Sequence, residues 1–176
     1  MKHQITYLHC GERLRRSLKH ETDEVLSVVD GIEWQPEFTI VRPDKRKPLE
    51  HQTAYNARFE IEFQQLGWDI QPRLSDSPRL IGDFGKNLVF GEVQFGVSST
   101  LYRDFYKFQY GHQKGLLSLG VLIAPVNPTE FFPTRDKHSV SNMAEYDLAL
   151  RYFTVLPISV PTMVIGLVAD QPELNP

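Results

Sequence analysis

The stretch Leu116–Ala124 (LLSLGVLIA) constrains the fold most: nine residues with a single polar side chain. It is too short to cross a bilayer as a helix, which takes about 20 apolar residues. It also lacks the alternation of a strand with one wet face. It therefore reads as a strand covered on both faces, and Thr162–Ala169 near the end of the chain reads as a last strand. Buried strands of this kind belong to sheets with helices on both sides. The prediction is an α/β fold with a mixed central sheet flanked by helices.

The rest of the chain supplies those helices. Tyr55, Phe59, Phe63 and Leu66 recur at spacings of four, four and three, and Gly67 stops the stripe. Glu62 borders that stripe; its ordinary reading is a snorkelling carboxylate, and its functional reading is a group near a metal. A second helix is expected from about Thr100 to His112, capped by Ser98 or Ser99, with Leu101, Phe105 and Phe108 facing inward. A third is expected from about Asn142 to Phe153. The first 48 residues read as helix followed by irregular chain. Leu14, Leu18, Val25, Leu26, Val28 and Val29 pack one side of one or two helices there. The run Arg42–Pro48 is either a solvated loop or a phosphate-touching arm. With 176 residues, one domain is expected, divided into an N-terminal helical and loop region (1–48) and a catalytic core (49–170).

Composition limits the partners. Nineteen Lys and Arg against 22 Asp and Glu give a net charge of −3, which argues against coating nucleic acid by bulk attraction. A local basic cleft remains compatible with DNA binding. No stretch is long and apolar enough to span a membrane, and Met1-Lys2-His3-Gln4 does not read as a secretory signal. The single cysteine, Cys10, cannot form an internal disulfide, and a reducing, intracellular setting is expected. His9, His112 and His138 have no partners at metal-ligand spacing.

Three polar side chains stand out: Asp83, Glu92 and Gln94. From Leu88 to Phe95 the chain alternates, so Glu92 and Gln94 project to one side about 7 Å apart. Two carboxylates converging on a point suit a hard divalent cation. Such a cation polarises a phosphoryl oxygen and acidifies water, so Asp-x8-Glu-x-Gln is a candidate phosphodiesterase core. Acid pairs flanking a hairpin are also common surface features. There is a geometric obstacle as well. A tight turn at Gly85-Lys86-Asn87 would leave Glu92 about 10 Å beyond the residue opposite Asp83.

The run Asp83-Phe-Gly-Lys-Asn-Leu-Val-Phe-Gly-Glu-Val-Gln-Phe-Gly96 closely resembles the active-site segment of the BglII/BstYI group of type II restriction endonucleases. That group belongs to the PD-(D/E)XK nuclease superfamily and has glutamine where the general motif has lysine. The resemblance extends from about Leu49 to Asp170. It takes in the helix with Asn56, Phe59 and Glu62, the Leu119–Pro125 stretch, Phe131-Phe132-Pro133, Glu145-Tyr146 and Val164–Val168. It implies a restriction-endonuclease-like fold in a cytoplasmic, prokaryotic enzyme. Asp83, Glu92 and the Val93 carbonyl would bind Mg²⁺, and Gln94 would orient the attacking water. Glutamine cannot lend positive charge, so the metal must activate more of the water itself. The expected substrate is a short palindrome in double-stranded DNA, GATC-centred by resemblance, cut to leave a 5′-phosphate and 5′ overhangs.

In that group the segments after the Glu-x-Gln strand and before the next long helix approach the bases. Here these are Gly96–Thr100, with Ser98 and Ser99, and Thr134–Asn142, with Arg135, Lys137, Ser139, Ser141 and Asn142. The bland readings are a solvated polar loop, with Ser141 capping the following helix. Arg103 and Lys107, at i and i+4, either hold phosphates or lie exposed, partly offset by Asp104. One small domain cannot cut both strands symmetrically, so a homodimer is expected, through the helices around 101–108 or 143–153. Two other readings stand beside this one. The first is a repair or structure-specific nuclease of the same superfamily. The second is a non-catalytic DNA-binding protein on a nuclease-like fold.

Overall fold

The computed structural model describes residues 1–42 and 47–170. In chain order these form β1 (His3–Leu8), α1 (Glu12–Ser17), α2 (Lys19–Gly31), β2 (Thr39–Ile40), β3 (Leu49–Glu50), α3 (His51–Gln65), β4 (Asp69–Ile70), β5 (Arg73–Asp76), β6 (Arg79–Ile81), β7 (Phe84–Lys86), β8 (Val89–Val93), α4 (Thr100–Gln113), β9 (Leu119–Pro125), α5 (Pro128–Phe131), α6 (Lys137–Val140), α7 (Tyr146–Val155) and β10 (Thr162–Leu167). Pro43–Arg46, the centre of the basic run from Arg42 to Pro48, lie outside the described residues.

The apolar run becomes β9, buried along its whole length in the middle of a six-stranded sheet of order β1-β10-β9-β8-β7-β4. The strand starts three residues later than the run, and Leu116 is exposed. β9 pairs in parallel with β10 and with β8, while β1, β7 and β4 add antiparallel edges. Side-chain alternation divides the core in two. Val121 and Ile123 of β9, Val89 and Val93 of β8 and Ile165 of β10 meet Val25, Val29, Tyr55, Phe59 and Phe63 of α2 and α3. On the other face Leu122, Phe90 and Val164 meet Leu101, Phe105, Phe108, Ala149 and Phe153 of α4 and α7. The mixed sheet between helical layers is the predicted architecture.

Several local expectations are corrected. The N-terminal region is not only helix and loop: β1 pairs along its length with β10, from His3↔Leu167 to Leu8↔Thr162. Its six residues are mostly half-buried, a weak pattern that the sheet partner overrides. The third long helix begins at Tyr146 rather than Asn142. Met143 is instead bridged to Val97, and the Ala144 N–H donates to the Gly96 carbonyl at 2.9 Å. Ser99 stands at the N-cap of α4 without a side-chain cap bond. Ser141 does not cap α7; its hydroxyl donates to the His138 carbonyl at the end of α6.

Candidate active site

The hairpin of β7 and β8 brings the two predicted acids together. The turn is not at Gly85-Lys86-Asn87: Lys86 is a strand residue paired with Val89, and the loop is Asn87-Leu88. Asn87 takes the left-handed backbone conformation (φ 53°) that a tight hairpin needs and that asparagine tolerates. Tertiary contacts fix this choice. The Lys86 ammonium donates to Glu24 of α2 at 2.8 Å, and the Asn87 amide donates to Glu21 at 2.7 Å. Pairing therefore runs Phe84↔Gly91, and one step further brings Asp83 level with Glu92. The geometric obstacle disappears because the register differs by three residues from that of the expected turn.

Asp83 sits beside residues 91–93: its N–H donates to the Gly91 carbonyl at 3.0 Å, and its Oδ2 accepts from the Val93 N–H at 2.8 Å. It is the solvent-accessible member of the pair. Glu92 is 4% exposed. It projects with Phe90 toward α4, as the alternation requires. Lys107 of α4 donates to Glu92 Oε1 at 2.7 Å and to Asp104 Oδ1 at 3.1 Å. Gln94 donates through Nε2 to Asp104 Oδ2, and its Oε1 accepts from the Gly96 N–H at 2.8 Å. Asp83, Glu92, Gln94, Asp104, Lys107 and Arg103 line one pocket with Gln52 and Asn56 of α3.

Electrostatics follow from this crowding. Burial, then the Asp104 and Asp83 charges, push the Glu92 carboxyl well above its usual range, against the pull of Lys107. Desolvation also raises Asp83, opposed by its bond from Val93 and by Lys107. Burial pulls Lys107 down, but Glu92 and Asp104 together leave it above the ordinary lysine value. Lys107 thus serves two buried carboxylates, Glu92 and Asp104, and with Asp83 the acids lining the pocket outnumber its cations, Lys107 and Arg103.

Lys107 is thereby corrected: it is 5% exposed and bound inside the site, neither a solvent-exposed cation nor a surface phosphate contact. Arg103 is exposed at the same pocket. The two segments assigned to DNA lie side by side, because the Ser98 N–H donates to the Asn142 carbonyl at 2.7 Å. Ser99, Lys137, Ser139, Ser141 and Asn142 are exposed. Arg135 is half-buried and donates to Gln52 of α3, tying its loop to the rim of the site. Glu62 pairs with Arg58 at 2.7 Å and does not line the pocket.

Two residues escaped the sequence reading. Asp104 lies three after Leu101 and four before Phe108, inside the apolar stripe of α4; an acid there was the available signal for a buried polar role. Glu60, in a second cavity with Asn56 and Asp83, pairs with Arg42 at 2.8 Å and carried no signal beyond its helical spacing from Asn56.

Comparison with known proteins now places this geometry. The fold matches the crystal structure of restriction endonuclease BglII complexed with a DNA 16-mer. The TM-score is 0.71 at 17% identity, covering 97% of this chain and 78% of that one. Free BglII matches with a TM-score of 0.65 at 18% identity, covering 97% and 81%. A search of curated proteins gives no match. A family model described as restriction endonuclease BglII/BglIII matches residues 3–167. The chain therefore belongs to the BglII/BglIII restriction endonuclease family and is a type II site-specific deoxyribonuclease.

Proposed function

We propose that the chain acts as a homodimer on a short palindromic site in double-stranded DNA, with Mg²⁺ held by Asp83, Glu92 and the Val93 carbonyl. The observation that carries this reading is the pairing that sets Asp83 level with Glu92 on the two arms of one hairpin. The donor set fits the ion: hard oxygen ligands, with carboxylates outnumbering cations around a buried glutamate. When bound, a divalent cation supplies positive charge to the scissile phosphate and acidifies water.

The chain's own groups do the rest. The Val93 N–H holds the Asp83 carboxylate, and Lys107 holds that of Glu92. Gln94, lining the same pocket, orients the water by hydrogen bonding. Water gives up a proton to solvent as its oxygen bonds to phosphorus, the bond to the 3′ oxygen breaks, and that oxygen takes up a proton from solvent, leaving a 5′-phosphate and a 3′-hydroxyl. Arg103 and the paired segments 96–100 and 134–142 flank the pocket as phosphate and base contacts, Arg135 through the loop it anchors. By resemblance, a GATC-centred palindrome is the first site to try, and a prokaryotic cytoplasm is the setting.

Digestion of a plasmid of known sequence with Mg²⁺, followed by mapping of the ends, tests this reading. Discrete fragments with 5′-phosphates are expected. Asp83→Asn and Glu92→Gln are expected to bind the same duplex without cutting it. Retained cutting by either pure variant removes the assignment, and a smear in place of fragments removes the site-specificity.

A further inference from the structure

We propose that Asp104 is a positioning residue for the cleavage reaction, acting through the side-chain amide of Gln94. This rests on the nuclease reading of the site and extends it from the hairpin to α4. Asp104 is 2% exposed and occupies a place in the helix's apolar stripe that an aliphatic residue would fill. Packing against the sheet therefore does not account for a carboxylate there. Its hydrogen bonds do. Oδ2 accepts from Gln94 Nε2, and Oδ1 accepts from Lys107 Nζ at 3.1 Å. Lys107 in turn donates to Glu92. α4 thus joins the amide to the metal-binding carboxylate through a continuous chain of hydrogen bonds from Gln94 through Asp104 and Lys107 to Glu92.

The chemistry of an amide makes this chain directional. Gln94 Oε1 accepts from the Gly96 N–H at 2.8 Å, so its two ends are not interchangeable. Reversing the amide would set oxygen against the Asp104 carboxylate and N–H against N–H. Nε2 has two hydrogens, and Asp104 takes one of them. The other is left to Gln94 as a donor, on a side chain that lines the same pocket as Asp83 and Glu92. Asp104 thereby fixes Gln94 as a hydrogen-bond donor toward the reacting oxygens. Without it only the Gly96 N–H still orients the amide, and the Nε2 end loses its fixed partner.

The test pairs a direct observation with kinetics. In the metal-free wild-type protein, NMR is expected to show a scalar coupling across the hydrogen bond between Gln94 Nε2 and the Asp104 carboxyl carbon. Its absence would overturn the proposal without any variant having to fold. Single-turnover cleavage of a duplex site with Mg²⁺ is then compared for wild type, Asp104→Asn, Gln94→Ala and the double variant. DNA affinity is measured with Ca²⁺ in place of Mg²⁺. Asp104→Asn is expected to slow cleavage at least about tenfold, the lower end for loss of a group supporting a reaction centre. Its DNA affinity is expected to stay within about twofold, and in the Gln94→Ala background the same change is expected to alter the rate less than about twofold. Equal slowing in both backgrounds would mean that Asp104 does not act through Gln94. A wild-type protein that cuts no duplex would remove the nuclease reading, while the NMR coupling would still decide the place of Asp104.

Discussion

Lys107 Nζ lies 2.7 Å from Glu92 Oε1, and neither side chain is more than 7% exposed. Lys107 also donates to Asp104, whose charge opposes that of Glu92, so the pair is one part of a buried cluster with more negative than positive charge. Breaking a buried pair by removing one partner costs about 3–5 kcal/mol. Glu92 is already pushed upward, so proton uptake brings the cost toward the lower end. Lys107→Met is therefore expected to lower stability in the presence of a chelator, and Mg²⁺ is expected to restore more stability to the variant than to wild type. Urea unfolding with chelator and with Mg²⁺ checks this. Equal destabilisation in both buffers would separate Lys107 from the cation site.

Gly91 faces Phe84 across the hairpin, and a Cβ at position 91 would run into the Phe84 ring. The ring cannot retreat freely, because it stacks on Phe63 at 3.9 Å and 11°. Overpacking of this kind costs about 1–3 kcal/mol. Gly91→Ala is expected to lose that much in urea unfolding. It is also expected to cut more slowly, because the displaced strands carry Asp83 and Glu92. A variant as stable as wild type would show that the hairpin has slack.

The sheet and the faces of its strand residues were legible because both depend on period-two alternation. Val89, Val93 and Phe95 go to one face, and Phe90 and Glu92 to the other, whatever the tertiary setting. The register of the hairpin was not legible, because Glu21 and Glu24, more than 60 residues away in sequence, hold Asn87 and Lys86. Nor was the role of Lys107. On a helix it stands at the border between the apolar stripe and the line through Arg103, and only the nearness of Glu92 decides which way it points. β1 failed for a related reason, since six half-buried residues carry too little hydrophobic contrast without β10 beside them.

Tyr55 gives the fold a sensitivity to alkali. Its ring is 1% exposed, and its hydroxyl donates to the Gln35 carbonyl at 3.0 Å and accepts from the Gln35 N–H at 2.8 Å. Burial pushes its pKa from 10.0 to about 12. A raised pKa means that the folded state holds the proton more tightly than the unfolded chain. The contribution, on the order of 3 kcal/mol at most, is complete below pH 10 and is lost as pH rises through about 12. Tyr55→Phe is expected to flatten that part of the stability curve. At neutral pH it is expected to cost about 1–3 kcal/mol, through the Gln35 groups left unpaired. Unfolding midpoints from pH 7 to 12 for both proteins check this, and parallel curves would contradict it.

In the proposed homodimer, the outer face of α4 bears on how two sites would act on one duplex. Tyr102 and Tyr106 are 49% and 50% exposed, one turn apart, and Tyr102 stacks on Tyr152 of α7 at 4.5 Å and 18°. An exposed aromatic stripe is the composition that subunit interfaces favour. The opposite face of the same helix carries Asp104 and Lys107, so an interface here would set the distance between two reaction centres through a rigid element. Both helices that the sequence offered as interfaces contribute to this surface, so the choice between them becomes one continuous patch. Tyr106→Glu is expected to sediment as a monomer with an unchanged circular dichroism spectrum, because its side chain is half in water and supports no core contact. Supercoiled plasmid treated with that variant is expected to lose linear product before nicked product, since each monomer brings one site. A Tyr106→Glu protein that stays dimeric and still makes double-strand breaks would move the interface off this face of α4.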